Sequence, residues 1–143
     1  MDKLTREAHD HGRIVESMVF FEQFLKTITS NEIPDYTERL HQFFDQYIVQ
    51  HFSFEEKEVF PILLTKGDAQ DKKLVQELLE DHASILRLLA EFRKIIFSFG
   101  PQPNTGQVKK IITSSETMIT AVLAHTDKED KKLFPALRKY DAK

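Results

Sequence analysis

Hydrophobic positions recur at the spacing of an α-helix in four long segments of the chain. In the first and third segments these positions form a single stripe, and a histidine lies within each stripe. The two stripes are Leu4, Ala8, His11, Ile14, Val15, Met18 and Leu25, and Val75, Leu78, Leu79, His82, Ile85, Leu86 and Leu89. The pattern predicts helices over 4–29, 35–64, 71–98 and 105–138.

Three short stretches rich in Gly, Pro, Asn, Ser and Asp separate these helices, at 30–34, 66–71 and 100–106. Helices joined by such short loops pack as antiparallel neighbours, so we predict an all-α, up-down-up-down antiparallel four-helix bundle. Pro61 and Pro135 fall near the ends of the second and fourth helices. Each proline should kink its helix or end it just before the ring.

The second and fourth helices carry the same motif, 74 positions apart. The stretch HFSFEEKEVFP begins at His51, and HTDKEDKKLFP begins at His125. The first and third helices share an Asp-His pair, at 10–11 and 81–82. The chain therefore contains an internal two-fold repeat of a helix pair, which we place in one predicted domain spanning 1–143.

Each helix pair supplies a histidine on its first helix and a His-x-x-x-Glu motif on its second. Residues i and i+4 of a helix differ by about 40° in direction and about 6 Å in height, so His51 and Glu55 reach one site. Burying imidazoles and carboxylates in an apolar bundle costs several kcal/mol per ion unless something compensates them. We therefore predict a dinuclear metal site with these ligands: His11, His51, Glu55, His82, His125 and Glu129.

The ligand types narrow the choice of metal. Imidazole and carboxylate without thiolate suit iron, manganese or zinc. Two carboxylates can bridge two cations, with two histidines on each cation. Coordination positions then remain open for a small exogenous ligand.

Composition limits the classes of partner. The 143 residues are 41% hydrophobic and 30% charged, without the apolar run of about 18 residues that a membrane span needs, so we expect a soluble protein. The charged N-terminal segment and the absence of cysteine favour a cytoplasmic protein without disulfides or cysteine-ligated metals. The net charge is −3 and the two signs are interleaved along the chain, so the sequence has no strong basic patch of the kind that binds nucleic acid.

The duplicated motif resembles that of the hemerythrin-like (HHE) cation-binding domain family. It comprises His11, His51-x-x-x-Glu55, His82 and His125-x-x-x-Glu129, with Phe-Pro closing both halves. The resemblance covers nearly the whole chain. It implies a four-helix bundle that holds two non-haem iron ions, bridged by the two glutamates and an oxo or hydroxo species, with manganese or zinc as alternatives. Members of that family carry or sense oxygen, respond to nitric oxide, sense iron, or help to repair damaged iron–sulfur proteins.

The sequence departs from the oxygen-carrying hemerythrins, which have His-x-x-x-His on the third helix and His-x-x-x-x-Asp on the fourth. Leu86 stands where the second of those histidines would be. Asp130 does follow His125 by five residues, so spacing leaves it as an alternative ligand, although the duplicate at Glu55 favours Glu129. The ligand set is more similar to that of the repair-of-iron-centres branch, which usually carries a further cysteine-containing N-terminal region.

The resulting hypothesis is a di-iron protein that binds or senses oxygen, nitric oxide or peroxide, in stress response or iron homeostasis. A di-iron oxidase or peroxidase, or an iron donor for iron–sulfur cluster repair, is the alternative, so no catalytic residue is assigned. A ferritin-like site needs two Glu-x-x-His motifs, and the chain has one, from Glu38 to His41. A purely structural bundle would leave the buried charges unexplained.

The two halves of the motif differ one turn before the second-helix histidine, where Tyr47 in the first half corresponds to Ala121 in the second. We expect the Tyr47 hydroxyl either to donate to a bridging oxygen or bound ligand, or to meet a backbone carbonyl or the surface. Four other residues are expected on the surface: His9, His41, Glu56 and Asp130.

Overall fold

The computed structural model describes residues 2–100 and 102–140. Within those ranges the chain forms the predicted all-α four-helix bundle, so the fold class is confirmed. Pro101, which belongs to the third predicted loop, lies outside the described residues together with Met1 and 141–143.

Four long helices carry the fold: α1 (Lys3–Leu25), α2 (33–66), α3 (Ala69–Ser98) and α4 (105–140). A short 3₁₀ turn, Ser30–Glu32, leads into α2. Helix α4 packs against α1 and α3, and the end of α2 packs against α3 and the end of α4. No helix in the described ranges is both long and apolar enough to cross a membrane.

Helices α2 and α4 each contain wider π-helical turns. In α2, the α-helical segments Ile33–Phe43, Val49–Phe54 and Phe60–Lys66 are joined by the π turns Phe44–Ile48 and Glu55–Val59. In α4, Thr105–Lys128 and Phe134–Tyr140 are joined by the π turn Glu129–Leu133. The backbone keeps right-handed helical dihedrals at these junctions, so each helix is continuous.

Neither Pro61 nor Pro135 ends its helix. Of the two predicted alternatives, a kink or an end before the ring, the end is therefore wrong. A π turn lies just before each proline, in which the Phe60 N–H donates to the carbonyl of Glu55 and the Phe134 N–H donates to that of Glu129. Proline lacks an N–H, and its ring crowds the carbonyl four residues earlier, so a turn widened by one residue relieves the conflict. Both π turns begin at a predicted bridging glutamate.

A two-residue connection sets the register between α2 and α3. A Cβ at Gly67 would lie 2.4 Å from the carbonyl oxygen of Leu63 and 2.7 Å from the Cβ of Asp71, so only glycine fits there. Asp68 then caps α3, because its side chain accepts from the backbone N–H of Asp71 at 2.9 Å. The tight turn brings the end of α2 alongside the start of α3.

Two apolar clusters lie on either side of a polar layer near the end of the bundle where α1 and α3 begin. On α3, Leu78 belongs to one cluster and Ile85 to the other, and His82 lies between them. The smaller cluster contains Phe54, Val59, Phe60, Leu63, Val75, Leu78, Leu133, Ala136 and Leu137. The two apolar clusters therefore cover the polar layer on both sides along the bundle axis.

Candidate metal centre

The six predicted ligands meet in this polar layer. Their exposed fractions run from 0% for Glu55 to 4% for His11, so all six are buried. They fall into two overlapping groups, and within each group one potential ligand atom per residue lies within 4.8 Å of the others. We call the group around His11 and His51 the first half-site, and the group around His82 and His125 the second half-site.

Glu55 and Glu129 belong to both half-sites. Glu55 lies 3.2 Å from Nε2 of His51 and 2.9 Å from Nε2 of His82. Glu129 lies 3.3 Å from Nε2 of His125 and 2.9 Å from Nε2 of His11. Each glutamate thus joins a histidine one turn away on its own helix to a histidine of the opposite half-site.

An outer carboxylate holds the other ring nitrogen of each histidine. The Nδ1–carboxylate distances are 2.9 Å for His11 with Asp130, 3.0 Å for His51 with Asp10, 2.7 Å for His82 with Glu56, and 3.0 Å for His125 with Asp81. An ionised carboxylate only accepts, so each Nδ1 carries the hydrogen and donates it. When Nε2 carries no proton, each ring presents a lone pair there, directed into the site.

These inward atoms lack the partners that buried polar groups need. In the described part of the chain, the inner atoms without a hydrogen-bond partner are both carboxylate oxygens of Glu7, one each of Glu55 and Glu129, and Nε2 of His11, His51 and His125. An Nε2 lone pair 2.9 Å from a carboxylate oxygen is repulsive unless a proton or metal ion lies between them. The donor set of imidazole nitrogens and carboxylate oxygens therefore fits a metal ion.

Without a metal, the same atoms retain protons. Burial alone would lower the pKa of His11, but the nearby carboxylates of Glu129 and Glu7 raise it to about 10. Burial and the charge of Glu129 raise the pKa of Glu55 well above its ordinary value. Burial opposes ionisation of Glu129 too, yet its contacts with His11 and His125 hold its pKa well below the ordinary value. Positive charge is needed at this centre whether protons or cations supply it.

Glu7 on α1 is a buried member of the centre that sequence reasoning missed. Its side chain is fully buried, with Oε1 3.5 Å from Nε2 of His51 and Oε2 3.6 Å from Nε2 of His11. The Glu7-x-x-x-His11 spacing is a signal that could have found it. It was overlooked because the repeat has Leu78 at the matching position, four residues before His82.

Phenylalanines close the walls around the histidines. The Phe-Pro ends of the two motifs have equivalent roles, because Phe134 contacts His11 edge-on at a centroid distance of 5.1 Å and Phe60 lies 5.5 Å from His82. Phe52 stacks on His82 with ring centroids 3.8 Å apart. These rings fix the imidazole planes and keep water from the inner nitrogens.

The whole arrangement lies within a match to the family model described as hemerythrin HHE cation binding domain, over residues 3–137. The chain belongs to this family. No curated protein and no solved structure matches the chain. Membership of the hemerythrin HHE family confirms the predicted resemblance, and the repair-of-iron-centres branch within it stays a prediction.

In this hemerythrin-family chain, Tyr47 takes neither of its expected positions. Its hydroxyl donates to Oδ1 of Asp10 at 3.2 Å, and the other oxygen of Asp10 accepts from His51. Burial and the charge of Asp10 raise the pKa of Tyr47, so the phenol keeps its proton and acts as a donor. Tyr47 therefore reaches the centre only through Asp10 and His51.

Two residues expected on the surface are exposed, and they also hold histidines. The side chains of Glu56 and Asp130 are 43% and 50% exposed, yet each accepts a hydrogen bond from an inner histidine. Spacing had left Asp130 as an alternative to Glu129 among the inner ligands. In the structure Asp130 contacts Nδ1 of His11 and belongs to neither inner group, whereas Glu129 belongs to both. His41, from the single ferritin-like motif, accepts from Nε of Arg93 at 2.9 Å and is also outside both groups.

Proposed function

We propose that this protein binds two iron ions, one in each half-site, and that a small ligand such as oxygen, nitric oxide or peroxide binds at this centre in stress response or iron homeostasis. The observation that carries the proposal is the set of buried inward lone pairs at Nε2, which have carboxylate oxygens as their nearest partners. Membership of a cation-binding family supports the same conclusion.

The proposed ligands are His11 and His51 on the first ion, His82 and His125 on the second, and Glu55 and Glu129 bridging the two. The outer carboxylates orient the four imidazoles and increase their basicity. The phenylalanine walls exclude water, which strengthens every electrostatic contact inside. Bound iron would supply Lewis acidity and open coordination positions for the small ligand. Imidazole and carboxylate without thiolate suit iron, manganese or zinc, and membership of the hemerythrin family favours iron among them.

Anaerobic reconstitution tests both parts of this proposal. Metal-free protein given ferrous iron should retain about two iron ions per chain after desalting. The reduced protein is then titrated with oxygen, nitric oxide and peroxide while its absorption is followed. Saturable binding of one of these molecules supports a carrier or sensor, whereas sustained consumption of oxygen or peroxide supports the oxidase or peroxidase alternative.

A matched pair of histidine variants controls for non-specific iron. His82→Ala removes a buried inner nitrogen and should lower the iron content. His41→Ala removes a histidine of similar size outside the centre, where its partner is Arg93, and should leave the iron content unchanged. Equal iron content in wild type and His82→Ala would contradict the ligand assignment.

A further inference from the structure

We infer that Glu7 is a seventh metal ligand, on the first half-site only, and that the exogenous ligand therefore binds to the cation of the second half-site. This inference rests on the proposed function and specifies which cation stays open. It starts from an observation that the duplicated motif does not explain. In the described part of the chain, both carboxylate oxygens of Glu7 are buried without a hydrogen-bond partner.

The position of Glu7 argues for ligation. A carboxylate loses its hydration on burial, and an uncompensated one is among the costliest groups to place in a protein interior. The oxygens of Glu7 point between the two histidines of the first half-site, 3.5 Å from Nε2 of His51 and 3.6 Å from Nε2 of His11. A cation held by those two nitrogens would also neutralise Glu7.

The two half-sites then offer unequal numbers of ligands. The first group contains five residues, which are Glu7, His11, His51, Glu55 and Glu129. The second contains four, which are Glu55, His82, His125 and Glu129. Non-haem iron accepts about six ligands. A bridging oxygen species would therefore complete the first cation and leave one position free on the second.

The surroundings of the second half-site suit a small ligand. The repeat position of Glu7 is Leu78, which is fully buried. Phe52 also packs there, stacked on His82 and edge-on to His125. These apolar side chains offer no counter-charge, so a charged ligand such as azide loses its hydration there and must be compensated by the cation itself.

The variant Glu7→Leu tests the inference, because it gives the first half-site the residue found in the second. Wild-type protein loaded with ⁵⁷Fe(II) should show two distinct Mössbauer quadrupole doublets of equal area, and it should bind about one azide per chain after oxidation. In Glu7→Leu the two doublets should converge, azide binding should rise towards about two per chain, and the affinity for one iron should fall at least about tenfold.

Two further variants keep the test decisive. Glu7→Gln preserves volume and polarity, so it reports the same loss of affinity for one iron if Glu7→Leu does not fold. Leu78→Glu supplies the missing carboxylate to the second half-site and should suppress azide binding while iron is retained. The inference is overturned if wild type shows a single doublet, or if Glu7→Gln keeps both iron affinities and both doublets. Failure of the proposed function itself would be distinct, because wild type would then hold no stoichiometric iron.

Discussion

The two half-sites share a plan but differ in character. In each half-site, two histidines direct Nε2 inward and donate from Nδ1 to an outer carboxylate. The phenylalanine of a Phe-Pro pair contacts one of the two, which is His11 in the first half-site and His82 in the second. Glu7 lines the first half-site where Leu78 lines the second. Phe52 stacks on His82, whereas Thr126, its counterpart in the repeat, donates to a carbonyl of its own helix. Duplication thus explains the shared ligands, and the departures from it make the first half-site polar and the second apolar.

The outer carboxylates differ in the same way. Asp10, which holds His51, also accepts from the neutral hydroxyl of Tyr47 at 3.2 Å, and Nε of Arg6 lies farther away, 3.8 Å from its Oδ2. Asp81, which holds His125, also accepts from the cationic amine of Lys128 at 2.8 Å. A cation beside the acceptor weakens its pull on the imidazole hydrogen, so His125 should be the less electron-rich ligand of the two.

The largest effect is expected from the loss of a glutamate that both half-sites share. Glu55→Ala or Glu129→Ala removes a carboxylate that both cations share, and it leaves excess positive charge in a dry interior. Iron content should fall to about one ion per chain or less, and the thermal stabilisation by iron should largely disappear. Metal analysis and thermal melts with and without iron provide the measurement.

Glu58→Ala is the control for that experiment, because Glu58 lies in the same π turn as Glu55 but its side chain is 52% exposed. It should retain wild-type iron content. A Glu55→Ala protein that kept two tightly held ions and an unaltered spectrum would show that the half-sites are independent.

Dependence on pH should come next in size, and it should follow the proton held by His11. In the metal-free protein the pKa of His11 is raised to about 10, so its protonated form stabilises the fold fully below about pH 6.5, and this contribution is lost as pH rises through about 10. Iron must displace that proton. Affinity in the first half-site should therefore rise by up to about tenfold per pH unit between pH 7 and about 10.

His82 should behave differently, because burial lowers its pKa and the ring is neutral at pH 7. Calorimetric titrations in buffers of different ionisation enthalpy count the protons released on iron binding. We expect at least one per chain at pH 8, because His11 holds a proton at that pH in the metal-free protein. Iron binding without proton release at that pH would contradict the account of His11.

A smaller effect should follow from loss of an outer carboxylate. Asp10→Asn and Asp81→Asn each replace the ionised acceptor of one imidazole by a neutral amide, and disturbing such a partner typically weakens metal binding about 10- to 100-fold. Each variant should weaken a different one of the two iron-binding steps, which a stepwise anaerobic iron titration resolves. If both variants weakened the same step, the division into half-sites would be wrong.

The smallest expected effect is that of Tyr47→Phe. The substitution removes one hydrogen bond to Asp10 and no contact with the inner atoms, so both ions should remain and iron affinity should change less than about fivefold. Iron titration of this variant beside Asp10→Asn makes the comparison. An effect of Tyr47→Phe larger than that of Asp10→Asn would mean that the phenol acts on the centre by another route.

The helical spacing of apolar residues and the duplicated ligand motif predicted the helices and the inner residues of the centre. Helical spacing predicted the four helices, and the predicted start of the fourth at 105 agrees with Thr105. The repeat selected the six buried residues that meet in the structure. It could not predict the π turns before Pro61 and Pro135, because a proline near a helix end is compatible with a break, a kink or a widened turn.

Residues outside the duplicated ligand motif were the ones missed. Glu7 has an apolar counterpart in the repeat, Leu78, although its own spacing to His11 is helical. Glu56 and Asp130 do correspond to each other in the repeat, but each follows an inner glutamate by one residue, and the sequence predicts both on the surface. Their roles depend on how far carboxylates reach between neighbouring helices, which spacing along one helix does not determine.

The most direct test of the central claim is a crystal structure of the iron-loaded protein with anomalous diffraction measured on both sides of the iron absorption edge. The account predicts two iron peaks per chain, one beside Nε2 of His11 and His51 and the other beside Nε2 of His82 and His125, with Glu55 and Glu129 contacting both. A single peak, or iron bound only at the outer carboxylates beside Nδ1, would contradict it.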